Sequence, residues 1–160
     1  MTPHTKRSIE VALQAKARSL GGGFQRIAGD CYAGIVAGEL RLAVALKESG
    51  ASRKMWVGVP DPLWKLLIGE YSVPGITAPQ DPKRFRIALI HQPNNTVLNI
   101  PLIDVFRAVV QRAVANRRDV EWSFDVHKTG YREYVVKRDT LQKPLSVSEL
   151  GLDSLECLLE

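Results

Sequence analysis

Three stretches decide the fold: MWVGVPDPLWKLL (55–67), RFRIALIHQPNNTVLNIP (84–101) and VEWSFDVHKTGYREYVVK (120–137). Met55–Val59 is a short β-rich run. Asp61 and Pro62 then start a helix, an N-cap followed by proline at the first helical position. Phe85–Ile90 and Val97–Pro101 are two strands joined by a turn over 91–96, the pattern of a hairpin. A long helix is expected from there to about Asn116, with Ile103, Phe106, Val110, Ala113 and Val114 inside and Arg117 and Arg118 at its negative end. In the last stretch Val120, Trp122, Phe124 and Val126 alternate with Glu121, Ser123, Asp125 and His127, which is the period of a half-buried strand. Lys128, Thr129 and Gly130 make the turn, and Tyr131–Lys137 returns. The order βαββαβ plus one more strand predicts an α+β fold with a ferredoxin-like, split-βαβ antiparallel sheet and an extra C-terminal strand.

N-terminal helices precede this unit. Ile9, Leu13, Ala17 and Leu20 recur at helical spacing over residues 5–20, and Gly21–Gly23 end that helix. Over 24–48 the spacing of Ile27, Cys31, Ile35, Leu42 and Leu46 suggests a second helix, weakened by Gly29, Gly34 and Gly38. The proline-rich stretch with Pro74, Pro79 and Pro82 is a loop. Pro144 marks the edge of the body. The chain thus divides into one basic α+β domain, residues 1–143, and an acidic tail, 144–160, that includes a short helix.

Composition narrows the function classes. At 160 residues, 45% hydrophobic and 24% charged, the chain is globular. It has no eighteen-residue apolar run, so no transmembrane helix or membrane partner is expected. Two cysteines, Cys31 and Cys157, are too few for a disulfide scaffold and suit a reducing, cytoplasmic setting. Charge is unevenly spread. All 22 Lys and Arg and 13 of the 17 acids lie before residue 144, so the body carries +9 and the last seventeen residues −4. Such a body attracts polyanions, and the tail is suited either to dock on it or to compete for it.

The split-βαβ order places three segments at one end of the sheet. Arg53 and Lys54 would precede the first strand, Lys83, Arg84 and Arg86 would open the second, and Lys128 and Arg132 would follow the fourth. These seven bases form an expected phosphate-binding rim, with Trp56, Tyr131 and Tyr134 as stacking surfaces. The RNA-recognition motif shares the order of elements, but the third strand here, Val97-Leu98-Asn99-Ile100-Pro101, lacks its Lys/Arg-Gly-aromatic signature.

Other chemistry is thinner. Glu121 and Asp125, four apart on one strand face, are the candidates for a metal-dependent nuclease, yet the carboxylate–lysine spacing many nucleases use is absent. His4, His91 and His127 show no metal spacing with the cysteines, and no metal or cofactor is expected. Gly151–Leu155 resembles the phosphopantetheine attachment sequence of acyl carrier proteins over five residues and reads as a helix start near Asp153 or Ser154. Leu155, Leu158 and Leu159 give the tail an apolar side that fits either a partner protein or the chain's own body. The leading expectation is a non-enzymatic binding protein for nucleic acid or a nucleoprotein complex. A protein-binding adaptor or inhibitor comes next, and a nuclease third.

Overall fold

A computed structural model describes residues 3–50, 53–79, 81–109, 120–130, 133–137, 145–147 and 151–160. In chain order the elements are α1 (Lys6–Ser19), β1 (Gly23–Ala28), β2 (Cys31–Val36), β3 (Glu39–Ser49), β4 (Lys54–Pro60), α2 (Asp61–Ile68), β5 (Phe85–His91), β6 (Thr96–Pro101), α3 (Leu102–Val109), β7 (Val120–Gly130), β8 (Glu133–Lys137), β9 (Leu145–Val147) and α4 (Leu152–Glu156). Short 3₁₀ turns at Pro82–Arg84, Gln92–Asn94 and Cys157–Leu159 complete the set.

The fold is α+β, with two sheets. One has five strands in the order β1-β2-β3-β5-β6, and the other has four in the order β4-β7-β8-β9. The expected single split-βαβ sheet is therefore not what forms. Two of its predicted neighbour pairs exist: β4 lies antiparallel to β7, and β5 antiparallel to β6. The link between the pairs is missing. Strand β5 instead joins β3 in parallel, with Ala43 opposite Phe85 and Ser49 opposite His91.

The second predicted helix is a three-stranded meander. Ala28 faces Cys31 across the two-residue turn Gly29–Asp30, and Val36 faces Glu39 across Ala37–Gly38. Ala37 and Gly38 both have positive φ, 54° and 74°, the geometry that matches hairpin twist. Both faces of β3 are buried, so its residues 42–46 are all apolar and show no alternation.

Each face of the five-stranded sheet carries its own core. On one side Leu42, Val44, Leu46, Ala88 and Ile90 pack under Ile9, Leu13 and Ala17 of α1 and under Leu155 and Leu159. On the other, Ala43, Ala45, Ile87, Leu89 and Leu98 meet Met55, Val57, Trp122, Phe124 and Val126 of the second sheet, with Leu63 of α2 and Val105 of α3. Ile9, Leu13 and Ala17 of α1 and Trp122, Phe124 and Val126 of β7 are buried as the sequence predicts; Leu20 is half-buried, and Ser123, expected on the outward face of β7, is buried as well. Helix α1 carries a capping box in which Thr5 and Ser8 bond reciprocally. Helix α2 begins at Asp61 with Pro60 as N-cap, one residue earlier than expected. Ile103 and Phe106 of α3 are half-buried, while Leu102 and Val105 are fully inside. Val110, Ala113, Val114, Arg117 and Arg118 lie outside the described residues. Strand β7 runs on through the expected turn to Gly130.

Candidate functional site

The seven predicted bases fall into two groups, with Arg132 outside the described residues. Arg53, Lys54 and Lys128 come together at the end where β4 starts and β7 finishes. Lys54 pairs with His127 in the ladder, and the Lys128 amide donates to the Arg53 carbonyl at 2.8 Å. Arg53 and Lys54 are exposed and Lys128 half-buried. None of the three forms an ion pair with a described residue.

Lys83, Arg84 and Arg86 sit at the opposite end. Parallel pairing makes β5 run in the direction of β3, from Phe85 opposite Ala43 to His91 opposite Ser49, so its start points to the end where β3 begins, whereas β4 starts after β3 finishes. Tyr134, the ladder partner of Lys128, touches His91 at the far end of β5, so the groups lie about 20 Å apart at ~3.3 Å per strand residue. The second group also has internal tasks. Arg86 is 5% exposed and donates from Nε to the Lys83 carbonyl at 2.7 Å. Arg84 Nη1 donates to the carbonyls of Arg41 at 3.0 Å and Leu158 at 2.7 Å. A single seven-base rim is thus not assembled.

Of the predicted stacking aromatics, Trp56 is on the surface, 49% exposed and two residues from Lys54 on the same strand face. Tyr134 is buried. Its hydroxyl accepts from Asn94 Nδ2 at 3.3 Å and lies 3.1 Å from His91 Nδ1, joining the two sheets. It offers no ring face to a base. Tyr131 lies outside the described residues.

The acidic end of the chain docks on the body. Lys16 Nζ meets Glu160 Oε1 at 2.6 Å, and Arg41 Nη1 donates to the Glu160 carbonyl at 2.8 Å. The hydrogen bond to Glu160 raises the Lys16 ammonium above its ordinary 10.5. Leu155 and Leu159 are fully buried and Leu158 packs against them, so the three predicted partner contacts are used within the chain's own core. Gly34 of β2 makes room, because a Cβ there would overlap Leu159 Cδ2. Helix α4 starts one residue after Gly151, and Ser154 Oγ donates back to the Gly151 carbonyl at 2.8 Å rather than capping.

Asp30 is a charged centre that pattern reading missed. It sits in the β1–β2 turn between Lys6 Nζ at 3.2 Å and Lys47 Nζ at 3.0 Å. Burial alone would raise its carboxyl, but the bonds and charges of Lys47 and Lys6 outweigh that and hold it below 3.8. Lys16 and Arg41 were missed as well. Only the opposite charges of tail and body pointed to them.

Asp125 faces Trp56 across the β4–β7 ladder, and the Glu121 side chain lies outside the described ones. Among the described residues no three His, Cys, Asp or Glu side chains converge on a metal position. Burial pushes the Cys31 thiol up to about 12, so it stays protonated and inert at neutral pH. No helix among the described residues is long and apolar enough to cross a membrane. Comparison with protein-family models, curated proteins and solved structures finds no match for the chain.

Proposed function

We propose that this protein is a non-enzymatic binder of nucleic acid, or of a nucleoprotein complex, that holds the phosphate backbone on Arg53, Lys54 and Lys128. The observation that carries this is the hydrogen bond from Lys128 to Arg53, which unites two segments more than seventy residues apart into one cationic end. The absence of carboxylate partners among the described residues leaves these charges available to phosphates. Trp56 adds an exposed ring beside them, and base–aromatic stacking contributes ~1–3 kcal/mol per base. Backbone contacts of this kind position a strand without reading its sequence. The two free cysteines are in keeping with a reducing, cytoplasmic setting.

Three neutralised phosphates give a salt slope of about −2 to −3 in log K against log salt. Titration of labelled single- and double-stranded oligonucleotides across a salt series measures it. Changing Arg53, Lys54 and Lys128 to glutamine should remove roughly 0.7–0.9 of slope per residue. Arg84→Gln should instead lower stability and leave the slope in place, because that guanidinium holds the Leu158 and Arg41 carbonyls. Absence of binding at low salt, or an unchanged slope in the triple variant, refutes the proposal.

A further inference from the structure

At the end of the first sheet opposite Arg53 and Lys128, a cleft of about 240 Å³ opens between the start of β3 and the segment 77–79. Arg41, Arg84 and Glu39 supply its charged groups, and Thr77, Ala78 and Pro79 form its far wall. That wall is fastened in place. The Leu40 amide donates to the Thr77 carbonyl at 3.0 Å, and the Thr77 amide donates to the Gly38 carbonyl at 3.1 Å.

The two guanidinium groups are held and only partly used. Each has five N–H donors. Arg84 commits Nη1 to the carbonyls of Arg41 and Leu158, leaving Nε and Nη2 without a bond to any described residue. Arg41 commits Nη1 to the Glu160 carbonyl. Its Nε is buried and makes no hydrogen bond, although Glu39 Oε2 lies 3.0 Å away. That carboxylate is near enough to attract but is not aligned with the N–H, and its side chain is 56% exposed. The Arg41 side chain as a whole is 25% exposed, but its Nε–H is shielded from water and unbonded, and an aligned anion would relieve that. Because backbone carbonyls already restrain both side chains, little rotamer freedom remains to be lost on binding.

We propose that this cleft binds a phosphomonoester, with the phosphate between Arg41 and Arg84 and the esterified group along Thr77–Pro79. A tetrahedral dianion offers three acceptor oxygens and can face two guanidinium groups from separate segments, Arg41 on β3 and Arg84 in the 3₁₀ turn before β5, which the planar Glu39 carboxylate does not achieve. The volume is below the ~300–1,000 Å³ of sites for larger ligands, so the esterified group is small: a sugar phosphate, or the terminal phosphate of an oligonucleotide. Glu39 is the group displaced on binding.

Calorimetric titration of the full chain with inorganic phosphate, ribose 5-phosphate and ribose tests this, alongside an oligonucleotide with and without a 5′-phosphate. Phosphate and ribose 5-phosphate should bind and ribose should not. A gain in oligonucleotide affinity on 5′-phosphorylation identifies the strand end as a source, and equal affinities identify the free phosphoester. Glu39→Gln should tighten phosphate binding about fourfold per unit of ligand charge, for like charges ~5 Å apart in a watery site. Ala78→Trp, at an exposed wall position, should weaken it roughly tenfold or more by filling the space with both arginines retained. Arg41→Gln should do the same, with circular dichroism confirming that the fold survives. No phosphate binding in either wild type or Glu39→Gln overturns the proposal, as does an affinity indifferent to Ala78→Trp.

Discussion

Gly34→Ala and Leu159→Ala form a double-mutant cycle whose signs follow from one close approach. A methyl group on Gly34 would overlap Leu159 Cδ2, while its next neighbours, Leu42 Cβ and Phe24 Cδ2, would lie at 3.5 Å in ordinary contact. Only Leu159 opposes the methyl, and Leu159 is fully buried with little room to retreat. Leu159→Ala alone should cost about 3 kcal/mol, within the ~2–5 seen for buried leucine truncations. Gly34→Ala alone combines an overpacking cost of about 1–3 kcal/mol with a gain of ~0.5–1 from a less flexible unfolded chain, for a net loss of about 1. Once Leu159→Ala has removed the overlapping atoms, the methyl enters the space they left. In that background Gly34→Ala should stabilise by about 0.5–1 kcal/mol. The sign reverses, and the coupling energy is about 1.5–2 kcal/mol, the size expected for residues in contact. Urea denaturation followed by tryptophan fluorescence gives all four stabilities. If Gly34→Ala destabilises both backgrounds equally, with additivity within about 0.5 kcal/mol, the C-terminal turn does not pack on β2 and the reasoning fails.

Two further outcomes concern the polar fastenings. Tyr134→Phe removes the hydroxyl that His91 and Asn94 share at the seam of the two sheets, and should lower stability by about 1–3 kcal/mol; a melting temperature equal to wild type would show that the seam does not depend on it. Asp30 is held below its ordinary 3.8 by Lys47 and Lys6 against the opposing effect of burial. Its contribution is therefore fully present above that value and lost as pH falls through the lower folded value. Asp30→Asn should flatten the acid limb of the stability–pH curve, and an unchanged acid limb would show that the two lysines do not stabilise the carboxylate.

What could be read locally was read where one face of an element meets water. The stripe Ile9, Leu13 and Ala17 on α1 and the alternation Trp122, Phe124 and Val126 on β7 are legible because the residues between them are mostly polar and more exposed, Asp125 and His127 half-buried and Ser123 the buried exception. Strand β3 failed that test. Buried on both sides, it has no period, and its apolar run combines with spaced residues upstream into a helix-like spacing. The cationic end at Arg53, Lys54 and Lys128 was anticipated because the pairing of β4 with β7 was. The placement of Lys83, Arg84 and Arg86 was not, because it rests on the parallel partner of β5.

By itself, then, the sequence determined the strand and helix start that follow Met55, the hairpin at β5–β6 and the start of the helix after it, the inward face of β7 at Trp122, Phe124 and Val126, and the opposed charges of body and tail. Tertiary structure alone decided that the strands divide into two sheets, that β5 adds to β3, and that the last leucines complete the core under α1. The reason is that periodicity records how one element meets its surroundings, whereas strand partnership across some forty residues is settled by which buried surfaces fit together. That choice moves whole groups of charge from one end of the molecule to the other without altering a single local pattern.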